Sequence, residues 1–393
     1  MAAGLLADGP VTITNIPRLN DIFTFIKVIS ETGTKVDFDE EKRELTIDPT
    51  QISSYVAPYE LVRKMRASFY MTGSLLGAAG YARVSLPGGC AWGPRPVNLH
   101  LEGLRALGAE IEMDGGYVIA KAPNGRLAGG SFTMNPSSVG ATVNLVLASV
   151  RAKGRSVIRN AAMEPDVVNL CENLNILGAR ITGAGTPVLT IEGVDRISPG
   201  TIDNIPDRIE TGTFMIAAAM VQGSDITLTN TLERDLGSFT DTFRKLQTGL
   251  EINASSIRIR SADHIPPVSI ETAVYPGFPT DLQAQWATMM TRAAGKSTVT
   301  DHIYPDRFSY VPELNRLGAD IDRRENKVII RGRSILNGAS VMSTDLRASV
   351  SLVMAGLIAR GQTEVLRVYH LDRGYEQLEV KLNRVGADIL RTQ

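Results

Sequence analysis

An α/β fold of six repeated units, three to a domain, is what this sequence predicts, and three observations predict it. A helical segment ending in a corner of the Leu-Gly-Ala-Xaa-Ile type recurs at Gly33, Gly108, Gly178, Gly249, Gly318 and Gly386, spaced 68 to 75 residues apart. A second glycine series, Gly9, Gly80, Gly154, Gly223, Gly295 and Gly361, marks a second helix in each copy, and β-type sequence such as Ser156-Val-Ile-Arg159 or Asp225-Ile-Thr-Leu-Thr229 follows it. The length, 393 residues, exceeds one ordinary core, so two domains are expected, residues 1–205 and 206–393. A repeat of this period decides the fold class before any single element does.

Within a copy the order reads strand, loop, amphipathic helix, glycine corner, strand, hairpin, strand, buried helix. Each corner glycine suits the left-handed position that ends a helix, because it has no Cβ to strain there. Asp114-Gly115-Gly116 in the second copy is a strong hairpin turn. The helices before the second glycine series, such as Phe214–Val221 and Val350–Ile358, are apolar nearly all round and therefore want burial on every face. Interiors of that kind fit two closed α/β bodies better than an open solenoid.

Both ends depart from the repeat. Only eight residues precede Gly9, so the first buried helix reads as starting in its middle. After Gly386 one strand's worth of residues follows, with no counterpart of the Lys327-Val-Ile-Ile-Arg331 that answers the strand after Gly318. The second domain thus reads as lacking an N-terminal strand segment, and an open sheet edge there is expected to lower stability and invite association.

Composition narrows the function. Lysine plus arginine number 41 against 42 acidic residues, which leaves no global field to attract nucleic acid. The first eight residues, Met1 to Asp8, have no basic region and only a short apolar run, so neither a signal peptide nor a membrane span is expected. Two cysteines, Cys90 and Cys171, lie in unlike settings, a glycine-rich loop and an apolar helical stretch. That argues against a disulfide and for a reducing compartment, the cytoplasm. The four histidines include none near a cysteine, so no metal is expected, and no cofactor either.

Chemistry is expected at Leu86-Pro-Gly-Gly-Cys90-Ala-Trp-Gly-Pro-Arg95-Pro96. Glycine and proline at this density exclude a helix interior or central strand, which puts Cys90 on a loop. A free cysteine is ordinarily small core filler. Arg95 five residues on turns that balance toward function. Polar residues also open the buried helices: Ser137-Ser138, Glu210-Thr211, Thr280-Asp281 and Thr344-Asp345 all read as N-caps. Six helix N-termini aimed at one cleft would make an anion-binding field. Arg66, Arg95, Arg307, Arg347 and Arg373 are placed by the repeat to add fixed charge. Singly each is best read as a surface ion pair, but they recur at loop and helix starts.

The motifs Leu-Pro-Gly-Gly-Cys90-Ala-Trp-Gly-Pro-Arg95-Pro-Val, Pro-Asp207-Arg208-Ile-Glu210-Thr-Gly-Thr-Phe, Phe-Pro-Thr280-Asp281-Leu-Gln-Ala-Gln, Thr344-Asp345-Leu-Arg347-Ala-Ser and His370-Leu-Asp372-Arg373-Gly-Tyr-Glu376 closely resemble the enolpyruvyl transferase family. Within it they resemble the UDP-N-acetylglucosamine 1-carboxyvinyltransferases, over essentially the whole chain. The resemblance implies two inside-out α/β barrel-like domains, each of three βαβαββ-type repeats with pseudo-threefold symmetry, closing over a cleft. It implies transfer of enolpyruvyl from phosphoenolpyruvate to the 3′-hydroxyl of UDP-N-acetylglucosamine, the first committed step of peptidoglycan synthesis. The partners implied are those two small molecules, with no nucleic acid and no membrane, and a monomer is expected.

Roles carry over residue by residue. Cys90 matches the general acid that protonates the enolpyruvyl methylene and is alkylated by fosfomycin. Asp281 matches the carboxylate beside the sugar hydroxyl, implied as the base. A carboxylate at a helix N-terminus is a weak base unless burial opposes the dipole, so positioning is expected to matter more than basicity. Arg95 and Arg373 match phosphoenolpyruvate-binding positions, with Asp345 and Arg347 beside them. Arg66, Arg95, Pro96, Val97, Asn98, Leu99, Pro136, Ser137, Ser138, Val139, Asp281 and Ile303 match positions lining the nucleotide-sugar site. Three departures stand out. A Lys-Asn pair that the family uses to hold phosphoenolpyruvate has no counterpart in this sequence, Pro136 stands where some members have lysine, and Asn98 where some have aspartate. Competing readings are a sister 3-phosphoshikimate transferase, against which the Cys90 loop speaks, and a catalytically impaired protein that binds the nucleotide sugar without turnover.

Overall fold

A computed structural model describes residues 1–87 and 97–392. The chain divides into two compact units, one running up to Ile205 and one starting at Pro206. The order β-α-β-α-β-β occurs in full over residues 130–192. There Gly130–Thr133, Val139–Ser149, Arg155–Arg159, Pro165–Ile176, Arg180–Thr182 and Val188–Glu192 follow one another.

In the first unit three four-stranded sheets share one plan. A short strand pairs in parallel with the strand that follows a buried helix, and an antiparallel hairpin completes the sheet. Gly130–Thr133 plays the first part in one sheet, Val56–Ala57 in another and Gly200–Asp203 in the third. The strands present apolar side chains on alternate positions, as Tyr117–Lys121 does with Val118 and Ala120 at 0% exposure. The Gly115-Gly116 turn takes φ of 54° and 81° and joins Asp114 to Tyr117, as a two-residue hairpin requires.

The helices Met71–Ala79 and Val139–Ser149 and the 3-10 turn Ala2–Leu6 pack on one another and carry most of their residues buried. Glycine lets them touch: a Cβ on Gly73 would lie 2.3 Å from the carbonyl oxygen of Asn144, and one on Gly77 2.5 Å from that of Leu147.

The second unit repeats the plan with differences. Ile270–Glu271, Lys296–Thr300, Lys327–Arg331 and Asp320–Arg324 form a four-stranded sheet, Asp225–Thr229, Ser256–Arg260 and Gly249–Ile252 a three-stranded one, and Ser340–Met342 with Glu364–Leu366 a pair. Its inner helices are Arg208–Met220, Gln283–Met290 and Leu346–Ile358, whose residues, Trp286 among them, form the core with Phe239 and Tyr375. Residues after Gly386 make no strand among the described residues, although Asn383 holds Ile389 by both backbone atoms, as Asn315 holds Ile321 and Asn175 holds Ile181.

Two local expectations are corrected. Five corner glycines are left-handed, but Gly249 opens a strand and Gln247, at φ 57°, takes the turn instead. Of the caps read from sequence, Thr344-Asp345 caps through its aspartate, Asp207 rather than Glu210-Thr211 caps the helix Arg208–Met220, and Thr280-Asp281 makes no cap hydrogen bond. Asp207 accepts from the N–H groups of Ile209 and Glu210, and Asp345 from those of Arg347 and Ala348, while Ser138 caps as expected. A carboxylate oxygen is charged and accepts two N–H groups at once, which suits it to a helix N-terminus. Among the described residues no helix is long and apolar enough to cross a membrane.

Candidate functional site

In the first unit three predicted segments are tied together by residues the sequence did not single out. Arg66 opens the 3-10 turn Arg66–Tyr70, Val97 precedes helix Asn98–Ala106 with Asn98 and Leu99 in its first turn, and Pro136, Ser137 and Ser138 lead into the helix that begins at Val139. Asn144 joins them. Its Oδ1 accepts from the Gly73 N–H at 2.8 Å, its Nδ2 donates to the Phe69 carbonyl at 3.2 Å, and the same nitrogen lies 2.7 Å from Nδ1 of His100. The amide nitrogen is a donor, so Nδ1 accepts and His100 is held neutral. Burial, and secondarily the charge of Arg66, pushes the His100 pKa down to about 4. The ring also meets Phe69 edge-on at 5.2 Å.

Charge concentrates in the second unit. The Asp281 carboxylate lies 2.6 Å from Nη2 of Arg307 through one oxygen and 3.3 Å from Nη2 of Arg347 through the other. Burial alone would raise its pKa, but Arg347 and Arg307 outweigh it and hold the carboxyl well below the usual range. Both guanidiniums are anchored behind the pair. Nη1 of Arg307 donates to Thr280 Oγ1 at 3.1 Å, and Nη1 of Arg347 donates to the Tyr375 hydroxyl at 3.2 Å.

That hydroxyl is a junction of the three inner helices. It lies 2.8 Å from Thr213 Oγ1, whose hydroxyl also accepts from Nε2 of Gln285, and the same Nε2 donates to the Asp281 carbonyl at 2.9 Å. Tyr375 is 1% exposed, so its polar tip is committed to this network.

Asp345 caps its helix with one oxygen and accepts from Ser309 and Thr344 with the other. Ile303 follows the buried Asp301, and Arg373 ends the 3-10 turn Val368–Arg373, two residues before Tyr375. Gly374 between them is pressed against Leu346, where a Cβ would come within 2.7 Å of the leucine side chain. The structure thus brings Asp281, Arg307 and Arg347 into one ion-paired cluster. Cys90, Arg95 and Pro96 lie outside the described residues. Among the described residues no group of three or more His, Cys, Asp or Glu side chains could hold a metal ion.

His100, Asn144, Asp301 and Tyr375 were missed by sequence reasoning. Asn144 alone left a signal, a polar residue inside the apolar run Val139–Ser149 that needs a partner when buried.

Residues 1–382 match the family model described as EPSP synthase (3-phosphoshikimate 1-carboxyvinyltransferase). The chain is 50% identical over 392 residues to the UDP-N-acetylglucosamine 1-carboxyvinyltransferase of Chloroherpeton thalassium, covering all of this chain and 91% of that one. It is 48% identical to the protein of the same name from Desulfosudis oleivorans, covering all of this chain and 93% of the relative. Among solved structures it is similar to the enolpyruvyl transferase NikO of Streptomyces tendae, with a TM-score of 0.89 at 24% identity over 98% of this chain and 91% of that one. It is also similar to an EPSP synthase of Acinetobacter baumannii, with a TM-score of 0.75 at 18% identity over 99% of this chain and 93% of that one. At these identities the two structures establish the α/β fold.

Proposed function

The chain belongs to the EPSP synthase family of enolpyruvyl transferases, and on that basis we propose that it transfers the enolpyruvyl group of phosphoenolpyruvate to the 3′-hydroxyl of UDP-N-acetylglucosamine, releasing phosphate. This is the first committed step of peptidoglycan synthesis. One observation carries the choice of acceptor: half the residues are identical, over the whole chain, to a relative named for that reaction. The EPSP synthases, at 18% identity, share the fold and give no comparable support for shikimate 3-phosphate as acceptor.

In this reading C2 of phosphoenolpyruvate bonds to the sugar oxygen while C3 gains a proton, and the hydroxyl's own proton passes to the phosphate. The bond from C2 to the phosphate oxygen then breaks, phosphate leaves with that proton, C3 returns a proton to the group that supplied it, and the vinyl group is restored. We assign the proton delivered to C3 to the Cys90 thiol, which is mostly protonated at neutral pH yet readily ionised. Asp281 is assigned to the sugar hydroxyl. A carboxylate held so far below its ordinary pKa is a poor base, so its role is to accept the hydroxyl's hydrogen bond and fix the oxygen's approach.

Arg95 and Arg373 are assigned to the anionic groups of phosphoenolpyruvate, which guanidinium forks satisfy. Arg66, Val97, Asn98, Leu99, Ser138 and Ile303, with Pro96, Pro136, Ser137 and Val139, are assigned to the nucleotide sugar. Arg307, Arg347 and Asp345 hold Asp281 and the helix start beside it. We assign the reaction to the cytoplasm, where Cys90 stays reduced, and to a monomer.

The test is phosphate release and product mass with phosphoenolpyruvate and each acceptor in turn. Release with UDP-N-acetylglucosamine and none with shikimate 3-phosphate is expected. The reverse pattern would overturn the assignment.

A further inference from the structure

Asp301 is not itself a predicted substrate position, yet it is 0% exposed and its carboxylate binds two of the segments that carry such positions. One oxygen accepts from Thr272 Oγ1 at 2.8 Å and from the backbone N–H groups of Ile303 and Tyr304 at 2.9 and 2.8 Å. The other accepts from Thr280 Oγ1 at 2.6 Å. Because the Thr280 hydroxyl spends its hydrogen on Asp301, its lone pair is left facing Nη1 of Arg307, whose Nη2 pairs with Asp281. A single buried carboxylate therefore fixes both the turn at Ile303 and the hydroxyl that orients Arg307.

We propose that Asp301 is a positioning residue for nucleotide-sugar use, acting through Thr280 on the Arg307–Asp281 pair and directly on the Ile303 turn. The inference rests on the function proposed above. Its physical content is directional. A carboxylate accepts at both oxygens, whereas an amide of the same shape must offer N–H on one side. In Asp301→Asn the amide oxygen stays with the three donors at Thr272, Ile303 and Tyr304, since turning it the other way would set N–H against all of them. Its nitrogen then faces Thr280 Oγ1, so the hydroxyl must accept there and swing its hydrogen elsewhere, and it loses the carboxylate that fixed which lone pair meets Nη1 of Arg307. The turn survives while the guanidinium keeps its Asp281 pair and loses its fixed hydroxyl partner.

The experiment compares Asp301→Asn, Thr280→Val, Thr280→Ser and the double Asp301→Asn/Thr280→Val variant with the unsubstituted chain. Expected for Asp301→Asn are a KM for UDP-N-acetylglucosamine raised about tenfold, a kcat lowered about tenfold and a KM for phosphoenolpyruvate within about twofold. Thr280→Val should match it, Thr280→Ser should restore the unsubstituted values, and the double variant should be no worse than either single one. A role confined to stability would lower the melting temperature with unchanged kinetics, and that result overturns the proposal. Slow rotation of the Arg307 guanidinium by nitrogen NMR is a second readout, expected in the unsubstituted chain and lost in Asp301→Asn. If the unsubstituted chain neither binds nor turns over the nucleotide sugar, the function is wrong, and the Arg307 signal still decides the positioning: unchanged rotation in Asp301→Asn overturns it.

Discussion

Nη2 of Arg307 stands 2.6 Å from Oδ1 of Asp281, and the two differ sharply in burial: the guanidinium side chain is 6% exposed, the carboxylate 37%. The cation is walled in and the anion faces outward. Removing the anion therefore strands a buried charge, whereas leaving it keeps a charged acceptor open to a ligand.

Asp281→Asn is expected to lower kcat by about 100-fold or more and to destabilise the chain by about 2 kcal/mol, because Arg307 and Arg347 lose their common counter-charge. Phosphate release and thermal unfolding measure the two effects. A variant with full activity would take Asp281 out of the reaction.

The same pair sets the acid response. With its folded pKa depressed, Asp281 contributes stability that is fully present above the ordinary carboxyl pKa of about 3.9 and is lost progressively as pH falls from there to the much lower folded value. The rate profile should accordingly show no acidic limb from this group between about pH 5 and pH 8. A limb in that range that vanishes in Asp281→Asn would contradict the ion-paired geometry.

His100 acts in the same sense at higher pH. Its pKa falls from an ordinary value near 6.5 to about 4, so between those values the unfolded chain binds a proton that the native state refuses. Stability should decline as pH drops through that window, by up to roughly 3 kcal/mol. Melting temperatures of the unsubstituted chain and of His100→Gln across pH 4 to 7 check this: the variant's slope should be shallower.

Gly73→Ala places a methyl 2.3 Å from the Asn144 carbonyl oxygen, which is backbone and cannot swing aside. Helices Met71–Ala79 and Val139–Ser149 must part, at a cost of about 3 kcal/mol or more, seen as a lowered melting temperature. An unchanged melting temperature would mean the helices do not cross this closely.

The two thiols should separate cleanly. Cys171 is buried and its pKa is pushed up to about 12, by burial first and by Glu172 second, so it stays a protonated, shielded thiol. Native-state alkylation, by fosfomycin or a simple thiol reagent, should fall on Cys90 alone and disappear in Cys90→Ser. That variant should lose kcat by about 100-fold while keeping nucleotide-sugar affinity. Peptide mapping by mass spectrometry and calorimetry read the two outcomes.

Much of the fold was legible because its determinants are local. A left-handed glycine after a helix, a Gly115-Gly116 turn between alternating strands and a helix apolar all round each report on φ, ψ and burial within a few residues of themselves. The family motifs likewise marked Asp281 and Arg347, and the repeat marked Arg307. The caps were misread where a tertiary partner competed for a local group. Thr280 looks like an N-cap, but its hydroxyl is taken by Asp301, 21 residues away, and by Arg307.

What the sequence by itself determined was the sixfold repeat, the α/β class and the residues that mark the chemistry. What only the tertiary structure decided was which buried polar groups hold those residues in place: Asn144 to Gly73 and His100, Tyr375 to Thr213 and Arg347, Asp301 to Thr280 and Ile303. Most of these partners lie tens of residues apart in the chain. A polar side chain in a sequence carries no mark of its distant partner, because the desolvation cost that demands one arises only once folding has removed the water.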